Sequence, residues 1–250
     1  MQKIAIMEIP FNNVTLVEAA ELAFSFSENG KQVLAVTPNA EIMELCRKDC
    51  TVKKAVLSAD IILPDGEGVL FVAKKLGTPL KEKVAGVDFG LECARIAVER
   101  GKSLFLLGGK PGVAKKAASE LCTRFPRLKI AGTHSGYFAR TGKENATVIS
   151  KINESGADLL FVCLGAPLQE KWVCENRDLL KTPKLIACLG GSIDIYAGKL
   201  SRAPRLFIKM RAEWLWRLLR EPWRIKRMAC LPRFIISVYE YKRKLKKRGT

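Results

Sequence analysis

Short apolar, β-rich runs alternate with longer stretches of helical periodicity over the first two hundred residues. This alternation limits the fold more than any other feature of the chain. Gln32–Val36, Asp60–Leu63, Ser103–Leu107, Leu128–Gly132, Asp158–Leu164 and Lys184–Leu189 read as strands, apolar enough to be buried on both faces. Helices are expected between them: from the capping box Thr15-x-x-Glu18 to near Gly30, from Ala40 onward, and over Val69–Leu76, Asp88–Arg100, Gly142–Ser155 and Pro167–Leu180. Another is expected over Pro111–Phe125, with proline in its first turn. Strand-helix alternation of this kind predicts an α/β, Rossmann-like, mostly parallel sheet with helices on both faces, and 250 residues suffice to bury its core.

The last fifty residues are of another kind. Residues 201–250 hold 16 Lys+Arg and 3 Asp+Glu, whereas residues 1–200 hold 27 and 22. Three of the four tryptophans, Trp214, Trp216 and Trp223, lie there. The chain therefore divides into an α/β core, 1–200, and a basic, aromatic helical appendage, 201–250. Phe207, Met210, Trp214, Leu215 and Leu218 share one helical face, and Pro222 predicts two helices meeting near Glu221. That apolar face also allows a self-associating, homo-oligomeric form that opens at a membrane. Arg217, Arg220, Arg224 and Arg227 recur at helical spacing, and guanidinium groups grip phosphate oxygens two at a time. The residues alone leave two partners open: an anionic membrane surface with a phosphorylated lipid, or a nucleic acid bound in a strongly salt-dependent way.

Several classes are disfavoured. No run approaches the roughly 20 apolar residues that span a bilayer. The start, Met1-Gln2-Lys3-Ile4, does not read as a secretory leader, and the eight scattered cysteines include no Cys-x-x-Cys, so reduced, buried thiols in a cytosol are expected. With His134 as the sole histidine, a zinc site is not expected, and no cofactor is. A nicotinamide enzyme lacks its glycine fingerprint and acidic ribose ligand.

Polar or glycine-rich segments follow five of the strands, and in open parallel sheets ligands bind at the carboxyl ends of strands. They are Thr37-Pro38-Asn39-Ala40-Glu41, Pro64-Asp65-Gly66-Glu67-Gly68, Gly108-Gly109-Lys110-Pro111-Gly112, the loop from Gly165 to Glu170, and Gly190-Gly191-Ser192-Ile193-Asp194. Asp65 lies where partial desolvation would make it a better proton acceptor, yet Asp-Gly is also a common turn, and spacing alone favours the turn. Thr37 and Asn39 fit helix caps equally well, Gly108 and Gly109 fit either a phosphate cradle or a tight turn, and Gln169 in a helix first turn fits a surface position.

Taken together, TPNAE (37–41), PDGEGV (64–69), VAGVD (84–88), LLGGKPGVAKKAA (106–118), GTHSGYF (132–138), LLFVCLGAPLQEKW (159–172), GGSIDIYAGKLSRAP (190–204) and EWLWRLLREPWR (213–224) resemble the WecG/TagA/CpsF family of glycosyltransferases. The resemblance runs over nearly the whole chain in the family's order. It implies an inverting, metal-independent hexosyltransferase on the cytoplasmic face of the membrane. Such an enzyme moves N-acetylmannosamine, or a related sugar such as its uronic acid, from a UDP donor to GlcNAc on undecaprenyl pyrophosphate. By position, Asp65 would be the base, Thr37, Asn39 and Gln169 would orient the sugars, and Tyr137 and Asp194 would face the uridine. Arg217, Arg220 and Arg224 would hold the pyrophosphate or steady the departing UDP, aided by helix N-termini near Gly109 or Gly191. Lys83 stands where relatives are expected to carry arginine, so a bidentate contact becomes a point charge; Ile193 stands where they usually carry phenylalanine.

Overall fold

The computed structural model describes residues 2–200 and, beyond them, residues 204, 207, 210, 215, 216, 218, 234 and 236–243. The expected core architecture is present. Six strands, β3 (Val33–Val36), β4 (Ile61–Ile62), β5 (Ser103–Gly108), β6 (Lys129–His134), β7 (Leu159–Cys163) and β8 (Leu185–Cys188), form one sheet in the order β4-β3-β8-β7-β5-β6. Every pairing in it is parallel. Successive residues face opposite sides: Val33 and Ala35 enter one apolar cluster, Leu34 and Val36 the other. The first cluster is closed by α1 (Leu16–Glu28), α5 (Gly86–Glu99), α6 (Val113–Arg124) and α9 (Ser192–Tyr196). The second is closed by α2 (Ala40–Lys48), α3 (Cys50–Leu57), α4 (Glu67–Lys75), α7 (Gly142–Glu154) and α8 (Leu168–Asn176). Burial on both faces is why these strands read as continuous apolar runs.

Local chemistry sets the element ends, and in three places it departs from expectation. The capping box holds: Glu18 N donates to Thr15 Oγ1 at 3.2 Å and Thr15 N to a Glu18 carboxylate oxygen at 2.8 Å. The helix expected from Ala40 is two, because Asp49 leaves helical geometry and caps α3, accepting from Thr51 N at 2.8 Å. Helix α6 starts at Val113, after Gly112 at φ +83°, so Pro111 precedes the helix and is not in its first turn. Short α9 follows the Gly190-Gly191 loop, where the resemblance implies a helix N-terminus. Residues 3–12 form an unexpected hairpin, β1 (Lys3–Ile6) and β2 (Ile9–Asn12), turned by Met7 and Glu8 at φ +50° and +69°. Asn12 joins it to the sheet edge by accepting from Ile62 N at 2.9 Å.

Two points in the appendage bear on its relation to the body. Phe234 and Val238 are buried in the second cluster, and Ser237 Oγ lies 3.3 Å from the buried carboxylate of Glu44 on α2. The helix pair expected around Pro222, and Arg217, Arg220, Arg224 and Arg227, lie outside the described residues. Among the described residues no helix is long and apolar enough to cross a membrane. The seven described cysteines are unpaired; Cys46, Cys93, Cys163 and Cys188 are buried, whereas Cys50 is exposed.

A half-buried charge ties β3, β4 and the turn after α8 together. Asp60, beside β4, accepts from Leu34 N at 3.0 Å and pairs with Arg177 at 2.6 Å and Lys31 at 3.2 Å. Burial pushes its carboxyl up, but the Leu34 N–H, Arg177 and Lys31 outweigh this and hold it below the usual aspartate value. A carboxylate held low stabilises the fold above its unfolded pKa, about 3.9, and that contribution disappears as pH falls through the folded value. Asp60→Asn is therefore expected to melt earlier at pH 7 and to lose less further stability than the wild type between pH 5 and 3. Parallel melting curves across that range would remove Asp60 from the acid limb.

Candidate active site

The chain order opens a crevice between β3 and β8. The helix after β3 packs on one face of the sheet and the helix after β8 on the other, so the loops leaving these neighbouring strands diverge. A cleft of about 340 Å³ lies at that point. Thr37, Asn39, Asp65 and Gln169, four residues singled out from the sequence, all line it.

Each side chain has a local reason for its position. Thr37 follows β3, is only 7% exposed, and donates from Oγ1 to the Cys188 carbonyl at 3.3 Å, which ties the ends of β3 and β8. Asn39 is the N-cap of α2, its Oδ1 accepting from Ile42 N at 3.0 Å. It both caps a helix and lines the cleft. Asp65 is half-buried at the rim. Its N–H donates to Pro38 O at 3.3 Å, and Pro64 O accepts from Val84 N at 2.9 Å, so the 37–41, 64–69 and 84–88 segments are laced together. Gly86 N, in the first turn of α5, points at Asp65 Oδ2 from 3.4 Å. A side chain at Gly86 would meet Thr37 Oγ1 at 2.9 Å, so glycine lets α5 approach the cleft floor.

Gln169 departs from the surface reading. It is 2% exposed in the first turn of α8, its Nε2 donates to Glu170 Oε1 at 2.8 Å, and its Oε1 accepts from Gly190 N at 2.8 Å. This clasp fixes α8 against the Gly190-Gly191 loop. Sequence reasoning placed Ser192 in a strand-end loop of the expected ligand site but not Ile195, Lys199, Leu200 or Trp216, yet all five line the cleft. Trp216, whose ring centroid lies 5.4 Å from that of Phe207, brings the appendage to the cleft wall. The concentration of tryptophan in the basic segment is the sequence signal that points to it.

The remaining candidates lie elsewhere. Lys83 Nζ sits 3.7 Å from Glu67 Oε1 at the start of α4, beside the Asp65 loop but outside the cleft lining. Gly108 and Gly109 serve close packing: a Cβ at Gly108 would fall 2.3 Å from Cys163 O, and one at Gly109 would meet Val113 and Ile193. Ile193 is thereby a core residue, fully buried. Tyr137 is 66% exposed on the loop after β6, and Asp194 is on α9, its carbonyl accepting from Lys199 N at 2.9 Å and Leu200 N at 3.1 Å. Neither is among the lining residues. His134, to which the sequence assigned no role, packs edge-on against Phe138.

A carboxylate at the rim, an amide anchored at both ends, a hydroxyl and a wall of backbone amides suit a polyhydroxylated ligand, with the carboxylate as proton acceptor. Ser192, the one serine among the described lining residues, donates to the Leu189 carbonyl at 2.6 Å, so its hydroxyl is committed to the turn rather than to nucleophilic attack. Among the described residues no group of three His, Cys, Asp or Glu could hold a metal ion.

Comparison with known proteins bears on the same cleft. Residues 4–248 match the family model described as "Glycosyl transferase WecG/TagA/CpsF family". A protein of Bacillus subtilis strain 168 named N-acetylglucosaminyldiphosphoundecaprenol N-acetyl-beta-D-mannosaminyltransferase is 33% identical over 240 residues, spanning 95% of this chain and 91% of that one. A protein of the same name from Staphylococcus aureus strain MRSA252 is 31% identical over 247 residues, spanning 98% and 95%.

Proposed function

Because the chain belongs to the WecG/TagA/CpsF family of glycosyl transferases, we propose that it transfers N-acetylmannosamine from UDP to the GlcNAc of undecaprenyl diphosphate, β-1,4-linked and with inversion. This is the linkage-unit step of wall teichoic acid synthesis. The observation that carries the reading is the meeting of Asp65, Thr37, Asn39 and Gln169 in one cleft at the strand ends. Asp65 accepts the proton of the GlcNAc hydroxyl as that oxygen bonds to the anomeric carbon. The bond from that carbon to UDP breaks with its electron pair leaving on the diphosphate. Thr37, Asn39 and Gln169 orient the two sugars, and Tyr137, from the loop after β6, and Asp194, from α9, face the uridine. No metal is needed: Arg217, Arg220 and Arg224 neutralise the departing charge.

The lipid-linked acceptor explains why most of the charge excess lies in residues 201–250. Arginine and tryptophan together suit a peripheral seat on the anionic inner leaflet. The Trp216 contact supports this by bringing the appendage to the cleft. The test is incubation with a synthetic lipid-diphosphate GlcNAc and a panel of UDP sugars, with and without EDTA. Transfer from UDP-N-acetylmannosamine that EDTA leaves intact is expected. Preference for the uronic acid would reassign the donor, and turnover with no UDP sugar would overturn the reading. In the same buffer, anionic vesicles are expected to retain the protein at physiological salt where duplex DNA does not; the reverse would favour a nucleic-acid partner.

A further inference from the structure

The neighbour of Gln169 in the chain raises a separate question. Glu170 is 1% exposed, and its Oε2 has no hydrogen-bond partner among the described residues. It faces the interior where α8 meets α2 and β8, and its charge adds to the burial that pushes the thiols of Cys46 and Cys188 up. Burial pushes the Glu170 carboxyl itself up to about 7. Stability alone does not account for such a group. A desolvated carboxyl with half its hydrogen-bonding capacity unused is unfavourable, and an apolar side chain of its size is often neutral or stabilising in its place. A carboxylate in a helix first turn gains from the helix dipole, but it would gain that facing solvent as well.

What the burial does provide is direction. Gly190 N–H can only donate, so the Gln169 amide must offer it Oε1; the Nε2 then needs an acceptor, and Glu170 Oε1 supplies one at 2.8 Å. We propose that Glu170 is a positioning residue: by accepting from Gln169 Nε2 it fixes which way that amide points, and with it the Gly190 loop, so that the cleft always meets its ligand with the same donor and acceptor. This rests on the reading of the cleft as the transfer site. The amide has one further N–H and one further lone pair, and Glu170 decides where each is presented.

The test compares full-length wild type with Glu170→Met, which removes the acceptor, and Glu170→Gln, which keeps an acceptor oxygen. Three readouts are needed: hydrogen exchange over residues 189–196, thermal melting, and transfer from UDP-N-acetylmannosamine to lipid-diphosphate GlcNAc. E170M is expected to exchange faster at Gly190, to melt no earlier than wild type, and to lose about 10–100-fold in kcat, the usual scale when a supporting partner of a functional side chain is removed. E170Q is expected to recover most of both losses. Gly190 exchange in E170M that matches wild type would overturn the proposal, as would activity and melting temperature falling together with no rescue by E170Q. If wild type transfers no sugar, the cleft reading falls, while the exchange comparison still decides the role of Glu170.

Discussion

Asp65→Asn is expected to lower the transfer rate by about 10²–10⁴-fold, the usual contribution of a positioned general base, while UDP binding and the melting temperature stay near wild type. The fold should tolerate the change because Asp65 is half-buried at a rim and the amide can still accept from Gly86 N. Its backbone contacts to Pro38 are independent of the side chain. What the amide cannot do is take the proton from an attacking hydroxyl. The loss should therefore fall on kcat and kcat/KM alike, as for an interaction made in the transition state, rather than on KM. A variant that turns over at the wild-type rate would remove Asp65 from the chemistry and leave it the turn residue that Asp-Gly spacing suggests. A variant that melts early would show that the lacing of the 37–41, 64–69 and 84–88 segments depends on the carboxylate.

The parts of this molecule that were legible in its sequence are those governed by neighbours in the chain. Buried parallel strands need apolar residues on both faces, so β3, β5, β7 and β8 stood out. The Thr15–Glu18 box marked the start of α1 because both of its hydrogen bonds lie within four residues. What escaped depends on partners distant in sequence or on backbone choices the side chains do not announce. Met7 and Glu8 adopt left-handed geometry without the Asn or Gly that usually signals it, because Ile6, Ile9 and Phe11 are buried and close the hairpin from either side. Gln169 looked like a surface residue because its acceptor role is set by Gly190, 21 residues away. In the same way Trp216 reaches the cleft through tertiary contact, and no local spacing encodes that. The family resemblance supplied the grouping of Asp65 with Thr37, Asn39 and Gln169; spacing left each of them a plausible cap or turn.

Phe234→Ala is expected to destabilise the protein by about 3–5 kcal/mol, as much as a core substitution in the sheet itself, although it lies in the basic appendage. Phe234 is 1% exposed and belongs to the same apolar cluster as Val36, Met43 and Val173. Alanine there leaves a ring-sized void in that cluster, which its packed surroundings close only in part. Denaturant unfolding would read the change directly, and a loss under about 1 kcal/mol would mean that the appendage only rests on the body. The same geometry changes how membrane attachment should be tested. Deleting everything from residue 201 removes the arginines proposed to meet the membrane, but it also strips Phe234 and Val238 from the core, takes Ser237 from Glu44, and removes Trp216 from the cleft wall. Such a truncation would lose vesicle binding, stability and activity together, for three different reasons. Replacing Arg217, Arg220 and Arg224 by glutamine separates them. If those side chains hold phosphate, the triple variant should bind anionic vesicles less tightly and with a shallower salt dependence, while its melting temperature stays where Phe234 sets it.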